Sequence, residues 1–131
     1  MSNSAVTEET FQCEVLASEL PVIVDFWAPW CRPCLAVAPI LEEIVAEHRG
    51  DVRLVKVNID EEQQLAARFG ISSIPTIVLF KDGIAVAETI GTRRKAQLER
   101  ELGLSPPESA ANPPETTVLR SLIARLTGQR S

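Results

Sequence analysis

Residues Pro21–Trp27, PVIVDFW, are so nearly apolar throughout that a strand built from them has no face to leave in water. Such a strand belongs in the middle of a sheet covered on both sides, which calls for helices above and below it. The flanking residues supply them. Thr7 caps a first helix to about Ser18, with Phe11, Val15 and Leu16 spaced for one buried face. After Ala28-Pro29-Trp30, a long helix begins near Cys31 and carries Ile40, Leu41, Ile44 and Val45 toward Arg49-Gly50, with Pro39 predicting a kink. Val52–Ile59 alternates as a second strand, and Glu61–Phe69 is a short helix stopped by Gly70. Pro75–Phe80 and Ile84–Ile90 are strands joined through Lys81-Asp82-Gly83, where Asp-Gly is a hairpin signal. Thr92 caps a last helix through Leu102, stopped by Gly103. The order α-β-α-β-α-β-β-α predicts an α/β fold with a mixed, mainly parallel central sheet between helices. The strand-helix-strand unit sets parallel neighbours and the hairpin adds an antiparallel edge.

Composition bounds the rest. A chain of 131 residues, 45% apolar, is one globular domain with residues to spare, and it needs neither disulfides nor metals to fold. The dense pattern ends at Gly103. Residues 104–115 read LSPPESAANPPE, a proline-rich linker without apolar periodicity, and 116–131 form a short segment of amphipathic character. There Thr116 or Thr117 can cap a helix with Val118, Leu119, Leu122, Ile123 and Leu126 on one face. The segment can pack on its own domain, on a second copy or on a partner, or stay unstructured in solution. Residues 1–103 hold 10 basic and 16 acidic side chains, net −6, while the remainder is net +1. That balance argues against nucleic acid, which needs clustered Lys and Arg. No secretory pattern opens the chain and no apolar run reaches membrane-spanning length, so a soluble cytoplasmic protein without membrane or nucleic-acid partners is expected.

The chemistry centres on Trp30-Cys31-Arg32-Pro33-Cys34, between the buried strand and the long helix. A C-x-x-C in that position reads as a redox pair, because cysteines three apart on a first helical turn lie on one face within the separation a disulfide tolerates. Cys31 sits at the exposed helix end, where unsatisfied amides and the positive dipole end stabilise a thiolate, the attacking species in thiol–disulfide exchange. Cys34, one turn in, stays a thiol until needed. The competing reading is a zinc half-site or two inert core thiols. Zinc needs four ligands, and the remaining Cys and His are Cys13 and His48. On a continuous helix His48 lies about 21 Å along the axis from Cys34, out of ligand range.

VDFWAPWCRPC at 24–34, API at 38–40, KVNID at 56–60, FGISSIPTIVLFKDG at 69–83 and Gly91 after a strand resemble the thioredoxin family in order and spacing, across residues 6–103. The resemblance implies a thioredoxin fold and a thiol–disulfide oxidoreductase, a protein-disulfide reductase in electron transport and cell redox homeostasis. Cys31 then matches the nucleophile and Cys34 the resolving cysteine. Asp25 matches a buried carboxylate that helps deprotonate the resolving thiol, with Lys56 its neighbour on the next strand. Burial alone raises the Asp25 pKa toward neutrality and Lys56 opposes that rise. The bland reading of the two is a buried ion pair kept for packing. Pro75, after Ile74, matches a cis-proline facing the disulfide, although a proline at a strand start is ordinarily trans. Trp30, Ile74, Pro75, Gly91 and Thr92 match an apolar groove where an extended peptide pairs with the backbone of Ile74. Trp27, Trp30, Arg32 and Pro33 make up the surroundings of Cys31.

Two departures stand out. The family's usual Gly-Pro between the cysteines is Arg32-Pro33 here, and the Lys that often follows the second cysteine is Leu35. Arg32 beside Cys31 favours its thiolate and so a modestly more oxidising couple with altered partner preference. The expected partners are disulfide-containing proteins and a thioredoxin-reductase-type flavoenzyme, with no bound cofactor besides the Cys31–Cys34 disulfide. The alternatives are a more oxidising exchanger or isomerase, and a chaperone or docking adaptor that uses the C-terminal segment for a partner or for self-association. Among the other candidates, Cys13 reads as a half-buried helix thiol and His48 as a favourable charge at a helix C-terminus. Asp60-Glu61-Glu62 reads as a helix N-terminus that accommodates negative charge.

Overall fold

The computed structural model describes residues 3–104; the segment 116–131 and all of the linker except Leu104 lie outside the described residues. The strands are β1 (Asn3–Ala5), β2 (Val22–Trp27), β3 (Arg53–Asn58), β4 (Thr76–Lys81) and β5 (Ile84–Ile90). The helices are α1 (Arg32–Glu47), α2 (Gln63–Arg68) and α3 (Lys95–Glu101), preceded by a short π-type turn of helix at Gln12–Leu16. One sheet has the order β1-β3-β2-β4-β5. It is mixed, with β1·β3 and β2·β3 parallel and β2·β4 and β4·β5 antiparallel, so among the described residues the two senses are evenly divided. The central position and two-sided burial of β2 are those its apolar run predicts.

Alternation along the strands divides the core. Val24, Phe26, Val55, Val57, Val78 and Phe80 face Phe11, Val15 and Leu65 on one side of the sheet. Ile23, Leu54, Ile77 and Leu79 face Val37, Leu41, Ile44 and Leu98, from α1 and α3, on the other. Asp82 (φ 54°) and Gly83 (φ 79°) are both left-handed, as a two-residue type I′ hairpin turn requires.

Three elements and one cysteine differ from the sequence expectation. β1 precedes the first helix, and the α-first order is corrected accordingly. It pairs with only Leu54–Lys56 of β3, and a strand of three residues is too short to show a period. Thr7 Oγ1 accepts from the Thr10 amide at 3.3 Å in the turn before the first helix, but the helix itself has Phe11 at its N-cap with no side-chain cap, so the Thr7 cap is corrected. The turns then widen, Ala17 N–H reaching back to Gln12 O, and the helix ends at Leu16 rather than Ser18. Cys13 is exposed rather than half buried, because it points away from the face carrying Phe11 and Val15. Finally, Thr92 caps nothing. Gly91 (φ 91°) turns the chain out of β5, Arg94 remains extended as the residue before α3, and the helix starts at Lys95.

Candidate active site

The site forms where β2 ends and α1 begins. Cys31 is the N-cap of α1 in an extended conformation, and Pro33 occupies the first turn, where its missing N–H sacrifices no helical bond. Cys31 and Cys34 are joined as a disulfide with Cα atoms 5.2 Å apart. The Cys34 amide donates to Cys31 Sγ at 3.2 Å, a hydrogen bond aimed at the sulfur that would carry charge in the reduced state. Cys31 is 5% exposed and Cys34 1%, so the outer sulfur is the one at the helix end. Ala28 packs with the pair, and Trp27, Ile59 and Ile74 close around it. Arg32 and Pro33 are exposed between the two sulfurs.

The surroundings are assembled from four loops. Trp30 projects into solvent, 66% exposed, and its Nε1 donates to Asp60 Oδ2 at 2.9 Å. Asp60 is a site residue that the sequence pattern hides, because its place in an acidic run already explains it as part of a helix entrance. The Ile74–Pro75 peptide is cis. The Pro75 carbonyl accepts from the Gly91 amide at 2.9 Å, which ties the start of β4 to the end of β5. Ile74 packs against the cysteine pair, and the bond from Gly91 brings that glycine beside Pro75, the next residue. Thr92 follows Gly91 and is exposed.

Within β2, Asp25 is fully buried, and neither carboxyl oxygen has a hydrogen-bond partner. Burial raises its pKa from the ordinary 3.8 to about 6; Lys56 pulls it down and Glu42 pushes it up, each less strongly than burial. Lys56 is opposite Asp25 in the β2·β3 register. Its ammonium nevertheless lies over the Trp27 ring, 5.0 Å from the centroid. The ion-pair reading of Asp25 therefore lacks its contact.

His48 stands apart from the cysteines, at the far end of α1, where Nε2 is 3.9 Å from Glu99 Oε2 on α3. Among the described residues no group of three or more His, Cys, Asp or Glu is placed to hold a metal ion. No helix among them is long and apolar enough to cross a membrane.

The thioredoxin family profile matches residues 2–103. Thioredoxin 1 of Nostoc sp. is 50% identical over 97 residues, 74% of this chain and 91% of the relative. Thioredoxin 1 of Synechococcus elongatus is 50% identical over 99 residues, 76% and 92% of the two chains. A thioredoxin of Mycobacterium tuberculosis is 48% identical over 97 residues, 74% and 84% of the two.

Proposed function

Given that the chain belongs to the thioredoxin family, we propose that Cys31 is the nucleophile and Cys34 the resolving cysteine of its dithiol cycle. The protein is a thiol–disulfide oxidoreductase, and its activity is the reduction of protein disulfides. The oxidising and adaptor alternatives are not favoured. The observation that supports the assignment of roles is the placement of Cys31 Sγ at the start of α1, more exposed than Cys34 and accepting the Cys34 amide.

In the reduced protein the Cys31 thiolate attacks one sulfur of a substrate disulfide. The substrate S–S bond breaks, a Cys31–substrate bond forms, and the second substrate sulfur leaves as a thiolate that takes a proton from water. Asp25, ionised in about half the molecules near pH 6, then accepts the Cys34 proton. Cys34 attacks Cys31 Sγ, the mixed disulfide breaks, and the departing substrate sulfur is protonated in turn. Two electrons have passed to the substrate and the Cys31–Cys34 disulfide is restored. All of this is sulfur and proton chemistry, for which the redox-active disulfide suffices without a bound cofactor.

Disulfide-containing proteins are the substrate class, and a thioredoxin-reductase-type flavoenzyme supplies the two electrons that reopen the disulfide. We place this cycle in the cytoplasm. Substrate chain lies along Trp30, Ile74, Pro75, Gly91 and Thr92. Ile74 precedes the first ladder residue of β4, Thr76, so its backbone is positioned ahead of the sheet to pair with an extended segment. Insulin-disulfide reduction tests the roles. Wild type should turn over, Cys31→Ser should not, and Cys34→Ser should accumulate a mixed disulfide with substrate. Turnover by Cys31→Ser, or a mixed disulfide that forms through Cys34, overturns the assignment.

A further inference from the structure

Lys56 has two destinations for its ammonium group. It is in register with Asp25, and strand alternation places Asp25 and Trp27 on the same face of β2. The Asp25 oxygens are buried and unpartnered, a strong attraction for any cation within reach. Yet Nζ stands over the Trp27 ring. Trp27 and Lys56 are both half-buried, and the pull of an aromatic face on a cation strengthens as water is excluded.

We propose that Trp27 is a positioning residue for the reductase cycle: its ring stations Lys56 beside Asp25 instead of on it, and so keeps the carboxylate a competent acceptor for the Cys34 proton. A direct Lys56–Asp25 ion pair stabilises the carboxylate and weakens it as a base. Without Lys56, burial leaves the carboxyl protonated near neutral pH and unable to accept a proton at all. The observed arrangement lies between these limits, with burial raising the pKa and Lys56 partly offsetting it. The other charged group acting on Asp25 is Glu42 on α1, and a substitution of Trp27 leaves its charge as it is.

The inference rests on Asp25 as the proton acceptor, so its test reads the carboxyl itself rather than turnover. In the oxidised full-length protein, the Asp25 side chain is titrated by carbon-13 NMR. Trp27→Leu frees Lys56 to pair with Asp25 and should lower the midpoint by about one pH unit. Trp27→Phe keeps a ring and should restore most of it. Lys56→Met should raise the midpoint, and adding Trp27→Leu to Lys56→Met should move it no further. Equal midpoints in wild type and Trp27→Leu overturn the proposal, as does a downward shift that persists in the Lys56→Met background. A measurement that needs no Trp27 variant is the ring-current shift of the Lys56 Cε protons in wild type: upfield displacement is expected, and unperturbed positions overturn the proposal. Failure of the acceptor reading shows separately, as an unchanged pH profile of single-turnover disulfide reduction in Asp25→Asn.

Discussion

Asp25 couples proton affinity to stability, and the sign follows from its environment. Below pH 3.8 folded and unfolded chains both hold the carboxyl neutral; between 3.8 and about 6 the unfolded chain releases its proton first, so folding loses stability as pH rises through the folded pKa. Above that window the loss is constant at about 3 kcal/mol. Asp25→Asn, which removes the charge and keeps the shape, should therefore unfold at higher urea than wild type at pH 8, by about 2 kcal/mol, with the advantage shrinking to under about 1 kcal/mol at pH 4. A difference independent of pH contradicts the buried-carboxyl account. Arg32 acts on the other partner. It is exposed at the first turn of α1, and we propose that its charge favours the Cys31 thiolate and hence the reduced protein. Arg32→Gly should make the potential more negative, by up to roughly 30 mV before solvent screening. Equal potentials in a glutathione titration remove Arg32 from the account. Asp25 and the groove residues were singled out by the resemblance to the family, whereas the Cys31–Cys34 pair was legible from its spacing and its place before a helix, which are local. The Trp27–Lys56 contact and the Trp30–Asp60 hydrogen bond were not, because each depends on side-chain rotamers across separate elements.

At the scale of elements, the proposed groove draws on the start of β4 and the end of β5, which the hairpin holds together. The Gly91 amide bonds to the Pro75 carbonyl while Gly91 itself sits at φ 91°, where an L side chain is strained, and an added Cβ meets Arg93 Nη1 at 3.3 Å. Gly91→Ala should lower stability by about 1–2 kcal/mol. It should also raise KM for a protein disulfide while leaving reduction of a small aromatic disulfide nearly unchanged, since the sulfurs on α1 are untouched. Parallel loss on both substrates argues that the effect spreads beyond the groove. The same glycine explains why one helix start was misread. Thr92 has the chemistry of a cap, but the left-handed turn at Gly91 delays α3 until Lys95, and sequence preference alone does not reveal that geometry. β2, β3 and β4 were legible because burial on one or both faces imposes a pattern, and β5, largely exposed, was legible from the Asp-Gly turn that precedes it. β1 was not, since its place is fixed by backbone pairing with β3 and the Val6 amide bonding to Lys56 O, which leave no hydrophobic period in so short a strand.

At the scale of the whole molecule, every group proposed for the chemistry falls between Asp25 and Thr92, and the described core closes a little later. Leu98 and Leu102 are buried against α1 and the sheet, and Leu104, the first residue of the proline-rich composition, still packs on that cluster while its amide bonds to Glu99 O at 2.7 Å. A cut before Leu98 strips two buried leucines at about 2–5 kcal/mol each, enough to unfold a domain of ordinary stability. A cut after Leu104 removes only residues that contribute neither a sulfur nor a described core side chain. The chain ending at Leu104 should therefore unfold cooperatively at the same urea midpoint as the full chain and reduce insulin within about twofold of its rate. The net charge of the acidic domain, −6 through Gly103, would then stand without the +1 of the remainder, so any difference in turnover that grows at low salt reports long-range charge acting on substrate encounter rather than on the dithiol. A loss of turnover that persists at high salt, with the midpoint unchanged, instead assigns residues 105–131 a direct part in substrate capture.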